Sequence, residues 1–341
     1  MRVLVTGGAG YIGSHAVKAL LGAGHEPVVY DDLSTGHRAA VDAVGTASGL
    51  AALSRPVPLV VGDVRDRELL ERTIAEHKIE AVMHFAAKSL VGESMSDPAK
   101  YYVNNVGGGL ALLEACRAAG VRHFIFSSTA AVYGEPEETP ISEEHRLSPT
   151  SVYGRTKLAF ERMLEDYASA YPFAYIALRY FNAAGADPGG AIGEDHDPET
   201  HLIPIVLQAA LGKREAVTVF GTDYPTADGT CVRDYIHVTD LADAHVLALQ
   251  HLASGGGSGV FNLGSGHGYT VRQVIETAER VVGRKVPVRE GARRPGDPAV
   301  LVAGSARARE ILGWKPAFDS LEKIIETAWV WHRAHPDGFD D

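Results

Sequence analysis

Tyr153 and Lys157 lie four positions apart in the stretch Ser148-Pro149-Thr150-Ser151-Val152-Tyr153-Gly154-Arg155-Thr156-Lys157. Pro149 forms a turn before them, and the pattern from Leu158 to Ala168 after them is helical. On a helix that spacing stacks both side chains on one face, within about 6 Å of rise. The chemistry this allows is proton transfer. A phenol with an ordinary pKa near ~10 is no base at neutral pH, but a neighbouring ammonium favours the phenolate. Lowering the pKa to about 7 takes roughly 4 kcal/mol, more than one solvated lysine supplies, and a second positive charge such as an oxidised nicotinamide ring would help. By itself the pair also reads as an exposed helix face, and the elements around it must decide.

The first of those elements opens the chain. Arg2 to Thr6 is a short apolar strand, Gly7-Gly8-Ala9-Gly10-Tyr11-Ile12-Gly13 a glycine loop, and Ser14 to Leu21 a helix. Glycines at 7, 10 and 13 let the backbone turn tightly, approach a pyrophosphate and bring the helix close to the sheet, with the helix N-terminus facing the negative charge. Pro27 to Tyr30 is the next strand, and Asp31 ends it 18 positions after Gly13, where a carboxylate accepts hydrogen bonds from an adenosine ribose. That selects NAD over NADP, whose 2′-phosphate the carboxylate repels.

Strand and helix then alternate: strand Pro58 to Val61, helix Arg67 to His77, strand Ala81 to Phe85, helix Tyr101 to Ala118, strand His123 to Phe126, the Tyr153 helix, and strand Ala174 to Arg179. Leu33 to Arg55 reads as loop and a weak helix. Such alternation predicts an α/β fold with a doubly wound, Rossmann-like parallel sheet whose ligands collect at the carboxyl ends of the strands, where Thr6, Asp31, Asp63, Ala86 and Thr129 fall. From residue 183 the texture changes to long Gly-, Pro- and Asp-rich loops (Ala183 to Thr200, Thr222 to Thr230) among short elements. We assign 1–182 to a dinucleotide-binding domain and 183–341 to a smaller mixed α/β substrate lobe, allowing a chain crossover between the two. In the lobe Leu202 to Leu211, Asp240 to Leu252, Thr270 to Val282 and Leu321 to Arg333 read as helices, and Val217 to Phe220, Val260 to Leu263 and Val286 to Val288 as strands.

The chain has 341 residues, 45% hydrophobic and 22% charged, with net charge -11. This is globular composition, and the acidic balance argues against a nucleic-acid partner. Cys116 and Cys231 form no motif and read as reduced thiols. No secretory or membrane-spanning segment is evident, so the expected location is the cytoplasm, with no membrane partner.

The glycine loop, Ser127-Ser128-Thr129 at a strand end and Tyr-x-x-x-Lys occur here in one order, a combination more specific than any part. In these, and in Phe220 to Thr226, Asp228 to Thr230 and Val232 to Val238, the chain resembles the extended short-chain dehydrogenase/reductase family, in its branch of UDP-sugar 4-epimerases. The resemblance implies interconversion of UDP-galactose and UDP-glucose by oxidation at C4, rotation of the ketone and re-reduction. It assigns Tyr153 as the base, Lys157 as the support of the phenolate and of the nicotinamide ribose, and Thr129 as a donor to the same oxygen. It places NAD on Gly7, Gly10, Tyr11, Ile12, Gly13, Asp31, Asp32, Leu33, Ser34, Thr35, Gly36, Asp63, Val64, Phe85, Ala86, Ala87, Ser89, Asn104, Tyr153, Lys157, Tyr180 and Phe181. Around the UDP-sugar it sets Thr129, Tyr153, Asn182, His201, Leu202, the strand Thr218-Val219-Phe220, Arg233, Arg294, Asp297 and Leu301, with the two arginines on the diphosphate. It also implies a homodimer, through Tyr101 to Ala118 and Leu158 to Ala168.

Three positions depart from the family pattern. A lysine usual at position 89 stands one residue earlier, as Lys88; His201 replaces an asparagine; and Leu301 sits where relatives carry a bulky tyrosine or a small residue. A 4,6-dehydratase of the same family needs an Asp-Glu pair after the threonine, and Ala130-Ala131 cannot move protons. A uronate epimerase or decarboxylase, a UDP-N-acetylglucosamine epimerase, and a non-catalytic NAD-sensing protein remain as alternatives. Asp195-His196-Asp197 with His201 lacks metal-site spacing, and no metal is expected.

Overall fold

The computed structural model describes residues 1–47, 56–294 and 297–340. Of the loop and weak helix expected over Leu33 to Arg55, a helix forms at Arg38–Ala47, and residues 48–55 lie outside the described ones.

Seven parallel strands form the main sheet: β1 (Arg2–Thr6), β2 (Glu26–Asp31), β3 (Leu59–Val61), β4 (Ala81–His84), β5 (His123–Ser127), β6 (Ala174–Tyr180) and, later in the chain, Gly259–Leu263. The last of these pairs with β6 at the edge, so the chain returns from the second lobe to complete the sheet. The strands are apolar on both sides because both faces are covered. Val3, Val5, Val29, Met83, Ile125 and Ile176 pack on one side with Val17, Leu20, Leu241 and Leu249 from helices Tyr11–Gly22 and Val238–Ala253. Leu4, Val28, Val82, Phe124 and Phe126 pack on the other with Leu70, Leu112, Leu113 and Phe160.

Across the sheet the order is β3-β2-β1-β4-β5-β6 followed by Gly259–Leu263, so winding reverses between β1 and β4. There the loops leaving the two strands diverge and open a crevice. The second lobe packs helices Leu202–Ala210, Val271–Val282 and Leu321–Ala334 over its own core, among them Val206, Val219, Val274 and Ile325.

Several elements differ from expectation. The helix predicted from Tyr101 to Ala118 is an α-turn at Pro98–Tyr101, a wide π segment at Tyr102–Gly108 and an α-helix at Gly109–Ala119. The widened turn carries Asn105, whose side-chain amide donates to Lys88 O and Thr156 Oγ1 and accepts from Lys88 N. A Cβ at Gly109 would meet Phe160 at 2.5 Å, so the helix sits too close to Val152–Ala170 for any larger residue. The strand predicted at Val286 to Val288 forms at Val288–Gly291, where it pairs with Val217–Phe220. Short strands Asn182–Ala184, Val232–Arg233, Tyr235–His237 and Val300–Leu301 add small sheets. No helix among the described residues is long and apolar enough to cross a membrane.

Candidate active site

A single cleft of about 1210 Å³ runs from the glycine loop to the second lobe. It exceeds the few hundred to ~1,000 Å³ usual for one ligand, and is large enough for a dinucleotide and a second nucleotide together.

At one end, Gly7 has φ +74, and a Cβ there would lie 2.5 Å from Ala86 N across the switch between β1 and β4. A Cβ at Gly13 would lie 2.0 Å from Gly7 O, so this glycine lets the helix start tight against the loop. Gly10 differs: its Cβ would meet only Gly7 O at 3.5 Å, and the space it would take belongs to the cleft. Helix Tyr11–Gly22 begins here without a side-chain cap or an acidic residue in its first turn, leaving its N–H groups and positive end for an anion. Gly13→Ala is therefore expected to cost about 1–3 kcal/mol through overpacking, where a helical glycine-to-alanine change ordinarily gains ~1 kcal/mol. Urea melts and the nicotinamide released on denaturation check it, the expected result being lower stability and little retained cofactor.

Asp31 is buried at the end of β2 and its two oxygens accept from Ala9 N (3.0 Å) and Leu33 N (2.9 Å). Burial raises its pKa, and those two backbone donors pull it partly back. Lys88 Nζ donates to Ser34 Oγ at 2.8 Å, so the displaced lysine lies on the cleft wall beside Ser89 and reaches the loop after β2.

The tyrosine lies midway along the cleft. Ser151 caps helix Val152–Ala170 by accepting from Gly154 N, and Tyr153 N donates to Ser94 Oγ. A Cβ at Gly154 would be 2.7 Å from Ala131 O, so the helix start is pressed onto the turn after β5 that carries Thr129. The Thr129 hydroxyl lies beside the Tyr153 phenol and favours its ionised form, while its oxygen accepts from Ala131 N at 3.1 Å. Lys157 Nζ donates to Ser127 O at 2.8 Å and stands 5.9 Å from the centre of the Tyr153 ring.

The expectation that Lys157 draws the phenol down is not met in the chain by itself. Burial pushes Tyr153 up to about 12, and the Thr129 contact offsets only part of this. Burial also pulls Lys157 down to about 7, against the attraction of Glu161. Two desolvated groups each resist charge, so a second positive charge beside the phenol would favour its ionised form.

Beneath this pair is a buried network absent from the sequence reading. Arg179 Nε donates to Glu161 Oε1 at 2.9 Å, Arg179 Nη1 to Tyr133 OH at 2.9 Å, and Tyr133 OH to Asn262 Oδ1 at 2.7 Å, while Ser128 Oγ donates to Glu161. Its sequence signals are a charge inside the apolar strand β6 and a carboxylate four residues after Lys157.

In the second lobe Arg233, Arg294, Asp297, Asn182, His201, Leu202, Thr218, Phe220 and Leu301 all line the cleft. Arg233 pairs with Asp297, and the Arg294 guanidinium lies 4.1 Å from the Phe220 ring centre. Asn182 Nδ2 donates to Asp234 O, which fixes its orientation at the cleft wall. Of the expected positions, Val219, Asp63 and Leu33 are off the wall. Strand alternation turns Val219 into the core while Thr218 and Phe220 face the cleft. The Asp63 carboxylate is clamped by Arg65 Nε and Nη2 and is thereby held below its usual range, and Leu33, at φ 56, turns to pack on the sheet core.

Residues 3–264 match the NAD dependent epimerase/dehydratase family. The chain belongs to this family. A UDP-glucose 4-epimerase of Lacticaseibacillus casei is 51% identical over 341 residues, covering 100% of this chain and 99% of that one. The structure of UDP-glucose 4-epimerase from Brucella ovis in complex with NAD superposes with a TM-score of 0.90 at 52% identity, covering 96% and 97% of the two chains. That of Bifidobacterium longum, in complex with NAD+ and UDP, gives 0.93 at 41% identity and covers 99% and 100%. The glycine cradle, the open helix start and buried Asp31 fit the family's NAD, and the Arg233 and Arg294 end fits a nucleoside diphosphate.

Proposed function

We propose that this epimerase-family chain interconverts UDP-galactose and UDP-glucose, with NAD held between the glycine loop, Asp31, Lys88 and Lys157. The observation carrying this is the placement of the Tyr153 phenol, Thr129 hydroxyl and Lys157 amine on one cleft wall between the dinucleotide cradle and the two arginines. NAD, when bound, would supply the acceptor and later the donor of a hydride at sugar C4, and its oxidised ring would be a second positive charge beside the phenol. Tyr153 Oη takes the proton of the 4-hydroxyl and gives it back on re-reduction. Thr129 Oγ1, its lone pair engaged by Ala131 N, directs its hydrogen to the same oxygen. Arg233 and Arg294 hold the diphosphate and Phe220 the uracil, leaving the sugar to turn.

Incubating the purified protein with UDP-galactose, without added nicotinamide, is the test: UDP-glucose is expected, and its absence despite retained NAD overturns the reading. Leu301 pairs in register with Arg233 and lines the cleft, leaving more room than a tyrosine would. UDP-N-acetylglucosamine is therefore an expected second substrate. Leu301→Tyr is expected to cut its turnover at least about tenfold while sparing UDP-galactose, and equal turnover of both sugars would count against the role. A homodimer is part of the same proposal. Tyr102, Val103 and Leu110 are exposed large hydrophobics along the expected helix, and light scattering at twice the chain mass checks it. Both cysteines are free and buried, which suits the reducing cytoplasm.

A further inference from the structure

The loop before helix Leu202–Ala210 brings together Glu194, His196, Glu199 and His201, each offering a ligand atom within 4.8 Å of the others. These differ from the residues that proximity in sequence suggests. Asp195 turns away to accept from Phe339 N and to face His37, whereas the loop folds Glu194 and Glu199 inward, each with a side chain 3% exposed.

Nδ1 of His201 lies 2.9 Å from Glu194 Oε1 and 3.0 Å from Glu199 Oε1, and Nδ1 of His196 lies 3.3 Å from Glu194 Oε1 and 3.6 Å from Glu199 Oε2. Donors on a tetrahedral ion with bonds near ~2.0–2.1 Å stand about 3.3 Å apart; the four histidine-to-glutamate separations lie on either side of that value, counting Glu199 by whichever oxygen is nearer, and all four ligand atoms lie within 4.8 Å of one another. Hydrogen bonding accounts for only part of the arrangement, since within the cluster it joins His201 Nδ1 to Glu199 Oε1. Glu194 Oε1 and His196 Nδ1 are buried without an aligned hydrogen-bond partner, although both point into the cluster. Glu199 Oε1, by contrast, is held in place by Thr200 N and His201 N, each at 2.7 Å.

We infer that Glu194, His196, Glu199 and His201 form a binding site for one divalent transition ion of the zinc class. Two imidazoles disfavour magnesium and calcium, which take oxygen ligands, and two carboxylates neutralise a dication. The ion is structural: it ties the 194–201 loop to the start of the helix that presents His201 and Leu202 to the cleft, next to the Tyr11 ring, which meets His196 edge-on. Zn2+ binding is read directly and does not depend on the proposed activity.

The test uses full-length protein, stripped with a chelator and titrated with ZnCl2 in a calorimeter, with CoCl2 as a spectroscopic probe. One equivalent per chain is expected, with visible absorption bands of four-coordinate Co2+. Glu194→Gln is expected to weaken Zn2+ binding at least 100-fold. His201→Asn, whose residue can still start the helix, is expected to abolish the Co2+ bands while thermal melting shows a folded chain. No Zn2+ binding to the unaltered protein, or equal binding by both folded variants, overturns the inference.

Discussion

Tyr153→Phe is expected to lower turnover of UDP-galactose by about 10²–10⁴, the range of general acid–base catalysis, with NAD still bound. The ring keeps its place because the helix start is fixed by Ser151, Ser94 and the Ala131 contact, none of which uses the phenol oxygen. The companion Lys157→Met separates the electrostatics from the proton. In the chain by itself the phenol stands at about 12, so a variant lacking the lysine depends on the nicotinamide charge alone. The base works only as phenolate, and its fraction rises tenfold per pH unit below its pKa. Log turnover of Lys157→Met is thus expected to rise with slope near one from pH 6 to 9, where the unaltered enzyme is already levelling. A flat profile for the lysine variant would mean that Lys157 does not set the ionisation of the phenol, and wild-type turnover by Tyr153→Phe would remove Tyr153 from the role of base.

The first lobe was legible because its physics is repetitive. Strands buried on both faces leave near-continuous apolar runs, helices leave a 3.6 period, and the glycines mark the turn between them. The glycine loop also marked the strand end at which ligands collect, whereas the reversal of strand order between β1 and β4 that opens the crevice there is seen only in the fold. The second lobe was less so: Val232–Arg233 and Val300–Leu301 are two residues each, too short for any period to register. Val219 shows the cost of assigning a whole strand to a site, since a strand turns alternate residues to opposite faces. The state of Lys157 was hidden for another reason. A sequence supplies its charge and spacing, but burial sets whether it holds its proton, and that depends on Phe126, Ser127 and Tyr153 closing around it.

Arg179→Met is expected to destabilise the fold by about 3–5 kcal/mol, the cost of removing one partner of a buried ion pair. Glu161 is 1% exposed and lies within Ser128, Arg179 and the Lys157 helix, so its charge finds no water once the guanidinium is gone. A loss of that size is a large part of the roughly 5–15 kcal/mol by which domains are stable, and urea unfolding followed by circular dichroism measures it. The double variant Glu161→Leu with Arg179→Met is expected to lose less than the single one, because no uncompensated charge remains. A loss below about 1 kcal/mol for Arg179→Met would mean that Glu161 is solvated like a surface ion pair. Activity separates the pair's two roles. Glu161 draws the pKa of Lys157 upward against its burial, so once the carboxylate is neutralised the lysine loses more of its proton near pH 7. The double variant, even when fully folded, is therefore expected to show reduced turnover with an unchanged KM for UDP-galactose.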